Sequence, residues 1–426
     1  MLAVFTLLAV FLAALLLGAP VALAMALGVG VYAMAFGMPP VVVAQSLMQG
    51  LDGTAFTAIP YFFLAGAIMN AGGMSTRLLR LARAVLGHMR GGLAHANVGA
   101  SVVFAGVSGS AVADAAAVGS VMIPAMRRDG YGGAYAAAVT ASSATIGLVI
   151  PPSIPLVIYG LFTGTDIGAL FLAGIVPGLL MGAFLLAVTV WIGVRRGHPR
   201  APFAGWAEIG GALRGGALAL LMPVLVVGAL VGGLATTAEI GAVAAAYAAL
   251  VTLWLREAGP GALWRAACEA AADAAKVLIV VAISGAFVWI VAAEGAAREA
   301  AAILAASGLP PLALLAGTAL ALLALGTVLE PVTLLVVIVP TLATAIVPLG
   351  VDPVQLGIVA VLACAIGLVT PPVGLLLFMT AAQAEASLPR VVAEVAPFLA
   401  ALVLLLAALV AWPPLTTALP ALLAEG

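Results

Sequence analysis

The sequence predicts an all-α integral membrane protein made of two inverted-topology repeats, with about ten spanning helices and two re-entrant helical hairpins. The 426 residues are 65% hydrophobic and only 7% charged, whereas a soluble domain carries roughly a quarter charged residues. Apolar stretches of about 20 residues, the length that crosses a bilayer as a helix, recur along the whole chain. A set of helix-breaking motifs also occurs twice.

The charge and the rare residue types exclude several classes of function. The net charge of −1 suggests no nucleic-acid partner. The only lysine, Lys276, follows an alanine, so the Gly-Lys-Ser/Thr core of a P-loop is absent and no nucleotide cofactor is expected. The two cysteines, Cys268 and Cys364, are too few for a disulfide framework or a metal cluster.

Ten apolar segments are predicted to span the membrane. They are 2–17, 21–37, 55–71, 136–162, 169–194, 217–233, 238–255, 277–293, 356–380 and 391–412. The first of them lacks a basic leader, so it is interpreted as a span and not as a cleaved signal peptide.

Residues 93–126 form an apolar block of a different kind. Arginines flank it on both sides, at Arg90 and at Arg127, so a single crossing would put a basic loop on each face of the membrane, against the positive-inside rule. The block is too short for two full crossings. Its middle, GVSGS at 106–110, breaks a helix and is rich in hydroxyls. We therefore predict a re-entrant hairpin of two short helices that enters and leaves on the cytoplasmic side.

This hairpin fixes a topology for the whole chain. Both termini are predicted to be periplasmic. All basic residues but Arg298, of fifteen in total, then fall in cytoplasmic segments. These segments are 77–90, 127–128, 195–214, 256–276 and 390.

A repeated motif relates the two halves of the sequence. IGLVIPP at 146–152 recurs as IGLVTPP at 366–372. Upstream of each copy, an acid precedes a proline by ten positions, at Asp114 and at Glu330. The second apolar block, 310–348, enters from the outside in the predicted topology, so the two copies have opposite orientation. Inverted repeats are typical of secondary transporters, whose binding sites lie near the midplane at the repeat interface.

The predicted repeats occupy residues 1–194 and 217–426, with a cytoplasmic linker at 195–216. Each contains three spans, an interfacial arm helix, a hairpin, a broken helix and a last span. The arm helix, hairpin and broken helix are 75–90, 93–126 and 136–162 in the first repeat, and 294–306, 310–348 and 356–380 in the second.

Two adjacent prolines should unwind each broken helix, because proline removes a backbone donor and clashes with the preceding turn. The four structural breaks are Pro151, Pro152, Pro371 and Pro372. Carbonyls freed near Gly147 and Gly367 can then coordinate a cation, while the N-termini of half-helices favour an anion.

The side chains at the hairpin tips leave more than one role open. Ser108 and Ser110, and also Thr327 and Thr370, either contact a ligand or pack as small residues between helices. Asp114 and Glu330 are acids inside membrane blocks, which makes them functional candidates. Each could cap a helix, ligate an ion directly or tune the site indirectly, and Asp114 is assigned to tuning.

Four stretches resemble the large membrane subunit of tripartite ATP-independent periplasmic (TRAP) transporters, the DctM family. They are AIPYFFLAG at 58–66, FAGVSGSAVAD at 104–114, IPPSIPL at 150–156 and GLVTPP at 367–372. The resemblance covers essentially the full length. It implies a sodium-driven elevator transporter of the bacterial inner membrane. The implied partners are a separate small four-helix membrane subunit, a periplasmic solute-binding protein that delivers a carboxylate substrate, and membrane lipid.

The resemblance also implies two Na⁺ sites, each between a hairpin tip and the unwound loop of the same half. The implied ligands are Ser108, Ser110, Thr145 and Gly147 in the first half, and Gly326, Glu330, Gly367 and Thr370 in the second. Substrate contacts are expected at Ser110, Ser153 and Thr327. Glu330 departs from the aspartate usual in the family, because its side chain is one methylene longer.

Three other functions remain as alternatives. A divalent-anion/Na⁺ symporter that needs no binding protein would share the inverted-hairpin architecture. A membrane-embedded hydrolase could use Ser108, Ser110 and Asp114, but His95 is the only base in the same block and lies at its far end. A channel would need a continuous polar pathway, whereas hairpins that enter from opposite sides indicate alternating access.

Overall fold

The computed structural model describes residues 2–424, and every regular element in this range is a helix. Within this range the chain forms no β-strand, and one isolated bridge pairs Arg90 with Arg200. The predicted all-α class is confirmed. Alanine and leucine, both strong helix formers, fill the helices, while glycine and proline stand at their ends.

Ten helices form the first part of the chain. They are α1 (Leu2–Leu16), α2 (Val21–Phe36), α3 (Pro40–Gln49), α4 (Ala58–Ala71), α5 (Met74–Leu86), α6 (Gly92–Ser108), α7 (Ala111–Arg128), α8 (Gly133–Ala144), α9 (Ile154–Thr163) and α10 (Ile167–Arg195). Eleven more follow. They are α11 (Trp206–Val231), α12 (Thr237–Leu255), α13 (Pro260–Ala293), α14 (Ala296–Ala306), α15 (Pro311–Gly326), α16 (Pro331–Val337), α17 (Val339–Ile346), α18 (Pro353–Gly367), α19 (Leu375–Ala384), α20 (Leu388–Ala411) and α21 (Pro414–Ala424).

Five of these helices are long and apolar enough to cross a membrane, namely α10, α11, α12, α13 and α20. The count rises to six if α16 forms one span with α17 and the short turn that follows α17. The angle between these two parts is 47°. The other predicted spans are shorter apolar helices; α1 and α2, for example, have 15 and 16 residues. The predicted total of about ten spans therefore stays a prediction.

Both predicted hairpins appear as pairs of helices with a short break between them. In the first, α6 and α7 pack on each other and are joined by Gly109, in the left-handed region at φ +61°, and Ser110. Ser110 caps α7, because its Oγ accepts a hydrogen bond from the Ala113 amide at 3.4 Å. In the second hairpin, α15 is joined to α16 through residues 327–330. The side of the membrane from which each enters stays a prediction.

Both predicted broken helices are interrupted at the double prolines. The first passes from α8 through a 3-10 turn, Thr145–Leu148, to α9, and the second passes from α18 to α19. The peptide bonds between Pro151 and Pro152 and between Pro371 and Pro372 are both cis. Each of these two segments thus consists of two half-helices.

The arm helix α5 is tied to the helices beside it by ion pairs. Its apolar Leu78 and Leu79 are buried, while its arginines lie outward. Arg80 binds both carboxylate oxygens of Glu208 at the start of α11, at 2.7 and 2.9 Å. Arg77 pairs with Glu257, between α12 and α13. This helix is shorter than predicted, because it ends at Leu86 and not near residue 90.

The buried apolar side chains form two clusters. The larger contains both hairpins, both broken helices, α10, α20 and the helices α4, α5 and α12. The smaller joins α1 and α2 to the second half of α13, through residues such as Phe11 and Phe287. The site described below lies where the first cluster meets α13.

Candidate functional site

A cavity of about 1020 Å³ lies between the two hairpins, with α4 and α13 as further walls. Ser108, Gly109 and Ser110 reach it from the first hairpin tip, and Glu330 and Pro331 reach it from the second. Residues at the ends of both breaks also line it, namely Leu148, Ile154, Leu368 and Leu375. One cavity is therefore lined by the hairpin tips and the helix breaks of both halves. Corresponding residues of the two halves are more than 200 positions apart in the sequence.

The first tip is organised around a buried acid. Asp114, in the first turn of α7, is completely buried, and Ser108 donates a hydrogen bond from its Oγ to Asp114 Oδ1. The Ser110 amide also donates to Ser108 Oγ, at 3.3 Å. Asp114 Oδ2 has no hydrogen-bond partner within residues 2–424. A buried carboxylate oxygen without a donor is costly, so this atom is a candidate for contact with a cation.

The unwound loop of the first half lies directly against this tip. A Cβ added at Gly147 would overlap the Asp114 carboxylate, and it would also come within 3.4 Å of the Ser110 carbonyl carbon. A Cβ at Gly109 would likewise overlap the carbonyl oxygen of Pro152. The structure thus brings together the predicted ligands Ser108, Ser110 and Gly147 with Asp114, and only glycine permits this approach.

The second half shows the same arrangement between its own tip and break. A Cβ at Gly367 would overlap the backbone of Gly326, and a Cβ at Gly326 would lie 3.4 Å from the Gly367 Cα. The Gly374 amide donates to the carbonyl oxygen of Thr327, at 3.4 Å. The predicted pair Gly326 and Gly367 is therefore in direct backbone contact.

Three threonines that were predicted as site residues donate hydrogen bonds from their hydroxyls to backbone carbonyls. Thr145, Thr327 and Thr370 donate to the carbonyls of Ser142, Ala324 and Ile366 at 2.6, 2.8 and 2.7 Å. The proton of each hydroxyl is thereby directed away from the site, which leaves oxygen lone pairs to accept or to ligate. None of the three is among the residues that line the cavity.

Ser153 stabilises the first break and does not line the cavity. It is completely buried, caps α9 by accepting from the Leu156 amide at 3.3 Å, and donates to the carbonyl of Leu148. Of the three residues expected to contact substrate, the structure places only Ser110 at the cavity wall, because Thr327 faces its own helix.

Glu330 lies at the N-cap position of α16 and lines the cavity. Its side chain makes no capping hydrogen bond. The two acids that the repeat relates therefore occupy different positions: Asp114 lies behind the first tip, whereas Glu330 is at the surface of the second.

Four helices begin at the cavity. Ala111, Ile154, Pro331 and Leu375 are the first residues of α7, α9, α16 and α19, and all four line it. The amides of a first helical turn have no partner inside the helix and carry partial positive charge. The cavity wall thus offers amide donors beside hydroxyl and carbonyl oxygens.

A stripe of charges on α13 also lines the cavity, and the sequence analysis did not include it in the site. Arg265, Glu269 and Asp273 follow one another at intervals of four and share a helix face with Lys276. All four are exposed, so they mark the mouth of the cavity, and Lys276 pairs with Asp273 at 2.7 Å. The four-residue spacing could have revealed the stripe, but the segment 256–276 was assigned to a loop.

A hydrolytic site does not form around Ser108. His95, the base considered for it, is buried at the opposite end of α6. Its Nδ1 lies 2.8 Å from the Thr189 hydroxyl, and its Nε2 lies 2.8 Å from the carbonyl oxygen of Arg90. Both ring nitrogens are therefore engaged away from the serine.

The donor atoms at the two tips favour a hard cation over a transition metal. Within the described residues, no group of three or more histidine, cysteine, aspartate or glutamate side chains could hold a metal ion. The atoms present are hydroxyl, carbonyl and carboxylate oxygens, which suit alkali and alkaline-earth ions.

Comparisons with known proteins agree with this architecture. In solved structures, the Alcanivorax borkumensis YdaH transporter has a TM-score of 0.62 and 16% identity, over 86% of this chain and 87% of that one. This likeness concerns the fold alone.

Similarity to curated sequences is much stronger. The sialic acid TRAP transporter large permease protein SiaM of Vibrio cholerae is 36% identical, over 89% of both chains. The 2,3-diketo-L-gulonate TRAP transporter large permease protein YiaN of Escherichia coli is 36% identical over 88% of both. The C4-dicarboxylate TRAP transporter large permease protein DctM of Vibrio cholerae is 35% identical over 89% of both.

These relatives are subunits of transporters and not enzymes. The family model for the DctM component of tripartite ATP-independent periplasmic transporters matches residues 8–415. This chain therefore belongs to the DctM family and is a multi-pass membrane TRAP transporter large permease.

Proposed function

We propose that this permease imports an organic acid across the bacterial inner membrane, coupled to sodium and dependent on a periplasmic solute-binding protein. The observation that carries the proposal is the contact of each hairpin tip with the unwound loop of its own half, at Gly147 with Asp114 and at Gly326 with Gly367. Neighbours of both contacts line one cavity, namely Ser108 and Leu148 in the first half and Glu330 and Leu368 in the second. This arrangement supports two ion sites, one on each side of a substrate site.

Sodium is the ion that these atoms suit. It prefers neutral or singly charged oxygen ligands, and the first tip offers Ser108, Ser110 and the free Asp114 Oδ2 beside the carbonyls around Gly147. In the second half, the carbonyls near Gly326 and Gly367 and the hydroxyl oxygen of Thr370 have the same character. A cation between tip and loop would hold the two together, which couples its binding to the shape of the cavity.

A carboxylate is the substrate class that the cavity favours. The amides of Ala111, Ile154 and Leu375, the first residues of α7, α9 and α19, are donors that bury no full positive charge. The next amides of these helices, at Ala113, Leu156 and Leu376, already donate to Ser110, Ser153 and Leu368. A neighbouring sodium ion would add attraction, so an anion should bind better when sodium is present. The relatives named above include permeases for sialic acid and C4-dicarboxylates.

Transport by an elevator movement is the mechanism we infer. The hairpins, the broken helices, α10 and α20 share one buried core with α4, α5 and α12, whereas α1 and α2 pack on the second half of α13 in another. Movement of the hairpins and the broken helices past α13 would carry the cavity across the membrane without opening a continuous pore. A separate small membrane subunit would hold the α1, α2 and α13 side in place, and the binding protein would deliver substrate.

Uptake into proteoliposomes that contain the permease, the small subunit and the binding protein tests the proposal. With an inward sodium gradient we expect accumulation of a labelled carboxylate, and no dependence on ATP. Collapse of the sodium gradient with a proton gradient maintained should stop uptake. Unchanged uptake under that condition would contradict sodium coupling.

The same preparation distinguishes the second candidate, a sodium/divalent-anion symporter that needs no binding protein. Its basis is the paired hairpin arrangement, which does not itself require a binding protein. Omission of the binding protein should abolish uptake if the proposal is right. Uptake that persists at the same rate would favour the symporter.

A further inference from the structure

A second cavity, of about 400 Å³, lies on the outer side of the protein between the ends of α10 and α20. Its wall consists of Trp191, Ile192, Arg195, Arg196 and Pro397. It shares no lining residue with the cavity at the hairpin tips. Two arginines beside aromatic and aliphatic side chains are typical of a position at the boundary between water and the apolar part of a membrane.

The charges around this cavity do not cancel. Arg196 is neutralised by Glu394, with Nη1 3.0 Å from Oε1 and Nη2 2.8 Å from Oε2. Arg195 makes no ion pair within residues 2–424, and its guanidinium lies 5.4 Å from the centre of the Trp191 ring. Arg390 lies on the same face of α20 as Glu394 and Pro397, at intervals of four and three residues. The rim is therefore positive.

The flank of α10 below this rim is apolar and shallow. Every fourth residue leading up to Arg195 is exposed, and the series consists of Leu179, Ala183, Ala187 and Trp191. The neighbouring face of α20 exposes Ala393, Ala396 and Ala400. The short side chains of these alanines leave room beside α10 and α20 for acyl chains, which a free phosphate ion would not occupy.

We propose that this cavity binds the headgroup of an anionic phospholipid, with the acyl chains beside α10 and α20. The phosphodiester oxygens would receive hydrogen bonds from Arg195, and Trp191 would lie at the level of the glycerol backbone. Basic pockets between membrane helices on the cytoplasmic side are suited to anionic headgroups, and tryptophan favours the interface between headgroups and chains. The positive-inside rule places this end of α10 at the cytoplasmic leaflet.

Such a lipid would bridge helices of both repeats at the edge of the core that contains the hairpins. It would therefore travel with that core if the core moves. Lipid binding at this site requires neither sodium nor substrate, so it can be tested independently of the proposed transport function.

Native mass spectrometry of the purified permease, titrated with dioleoyl phosphatidylglycerol or with dioleoyl phosphatidylcholine, tests the site. We expect the first phosphatidylglycerol to bind more tightly than phosphatidylcholine. Arg195→Gln should weaken that first binding about fivefold, because one arginine near a lipid surface contributes on this scale, and should leave phosphatidylcholine binding unchanged. Trp191→Ala should weaken both lipids.

Arg214→Gln is the matched control, because Arg214 is an exposed arginine on α11 with no ion pair in the described residues and lies outside this cavity. It should bind phosphatidylglycerol like the unmodified protein. Inorganic phosphate at millimolar concentration should not displace the lipid. Equal binding by Arg195→Gln and the unmodified protein, or displacement by phosphate, would overturn the proposal. A monodisperse gel-filtration profile for each variant ensures that folding does not explain the result.

Discussion

Glycines at the points where tip and loop meet are the residues on which the site depends most directly. At Gly147 the neighbour is a buried carboxylate, and at Gly367 it is the backbone of Gly326. The backbone of Gly326 cannot move aside, and the Asp114 carboxylate is completely buried and accepts a hydrogen bond from Ser108. An added methyl group must therefore separate the tip from its loop.

We predict that Gly147→Ala and Gly367→Ala each abolish or strongly reduce uptake and lower the thermal midpoint of the purified protein. Overpacking at a tight contact costs about 1–3 kcal/mol. Gly228→Ala and Gly317→Ala serve as controls, because a Cβ at either position meets nothing within 4 Å. Full activity in the Gly147 or Gly367 variant would show that the contacts are not needed for transport.

The hydroxyls of Ser110 and Thr370 offer a finer test. Ser110→Ala and Thr370→Ala should raise the sodium concentration for half-maximal uptake about tenfold, since the loss of one neutral oxygen ligand should cost roughly 1–2 kcal/mol, on the scale of a hydrogen bond. Membrane insertion should be unchanged. Sodium titration of uptake by purified variants measures the effect.

The controls for this pair lie in the two hairpins. Ser120 lines the cavity from α7 and donates to the carbonyl of Ala117 at 2.9 Å, while Thr344 in α17 donates to that of Pro340 at 2.8 Å. Alanine at either position should leave sodium dependence unaltered. If Ser110→Ala and Thr370→Ala also keep it unaltered, their hydroxyls only pack.

At the scale of the helices, breaks were easier to predict than helix extents. Adjacent prolines and a Gly-Ser tip act through local backbone sterics, so GVSGS and the two Pro-Pro pairs mark the real interruptions. The length of α13 was missed, because it begins at Pro260 and the predicted span began at 277. The charged residues in the first half of α13 lower its hydropathy, so this half does not have the apolar pattern by which spans were predicted. The short helices α3 and α21 were also missed.

The site was predictable only where its contacts are local or repeat-related. Ser108, Ser110 and Asp114 lie within one tip, and the repeat pointed to Gly367 from Gly147. The stripe on α13 reaches the cavity through packing between elements about 150 residues apart, which no local pattern encodes. Ser153 looked like a substrate contact, yet its hydroxyl serves the adjacent backbone.

The first hairpin should return to the membrane face from which it enters. In a variant without Cys268 and Cys364, single cysteines at Met89 and Arg128, which are both exposed, should react with a membrane-impermeant maleimide from the cytoplasm only. Met89 suits this labelling better than the nearby Gly91, because Gly91 has φ +81° and is buried. A cysteine at Leu234, in the turn after α11, should react from the outside. Labelling of Met89→Cys and Arg128→Cys from opposite sides would refute the hairpin and the inverted repeat with it.

At the scale of the whole molecule, the buried side chains of the described residues form two packing units, and the cavity between the hairpins is lined by the charged half of α13. The predicted topology puts this half of α13 in the cytoplasm, and in that topology the conformation corresponds to an inward-facing state of the proposed cycle. The hairpin tips belong to one packing unit, and the second half of α13 belongs to the other. An elevator movement therefore has to change the surroundings of the tips and leave the first half of α13 where it is.

Cysteine accessibility during turnover tests this consequence. Ala113 is exposed on the cavity wall one turn from the first tip, and Arg265 is exposed at the mouth on α13. In the variant without native cysteines, Ala113→Cys should react with an impermeant maleimide from the cytoplasmic side when partners and substrate are absent. When the binding protein and external sodium drive the cycle, it should become reactive from the periplasmic side as well. Arg265→Cys should react only from the cytoplasm under both conditions. If Ala113→Cys never becomes reactive from the periplasm in preparations that transport, the cavity does not cross the membrane, and the elevator mechanism is wrong for this permease.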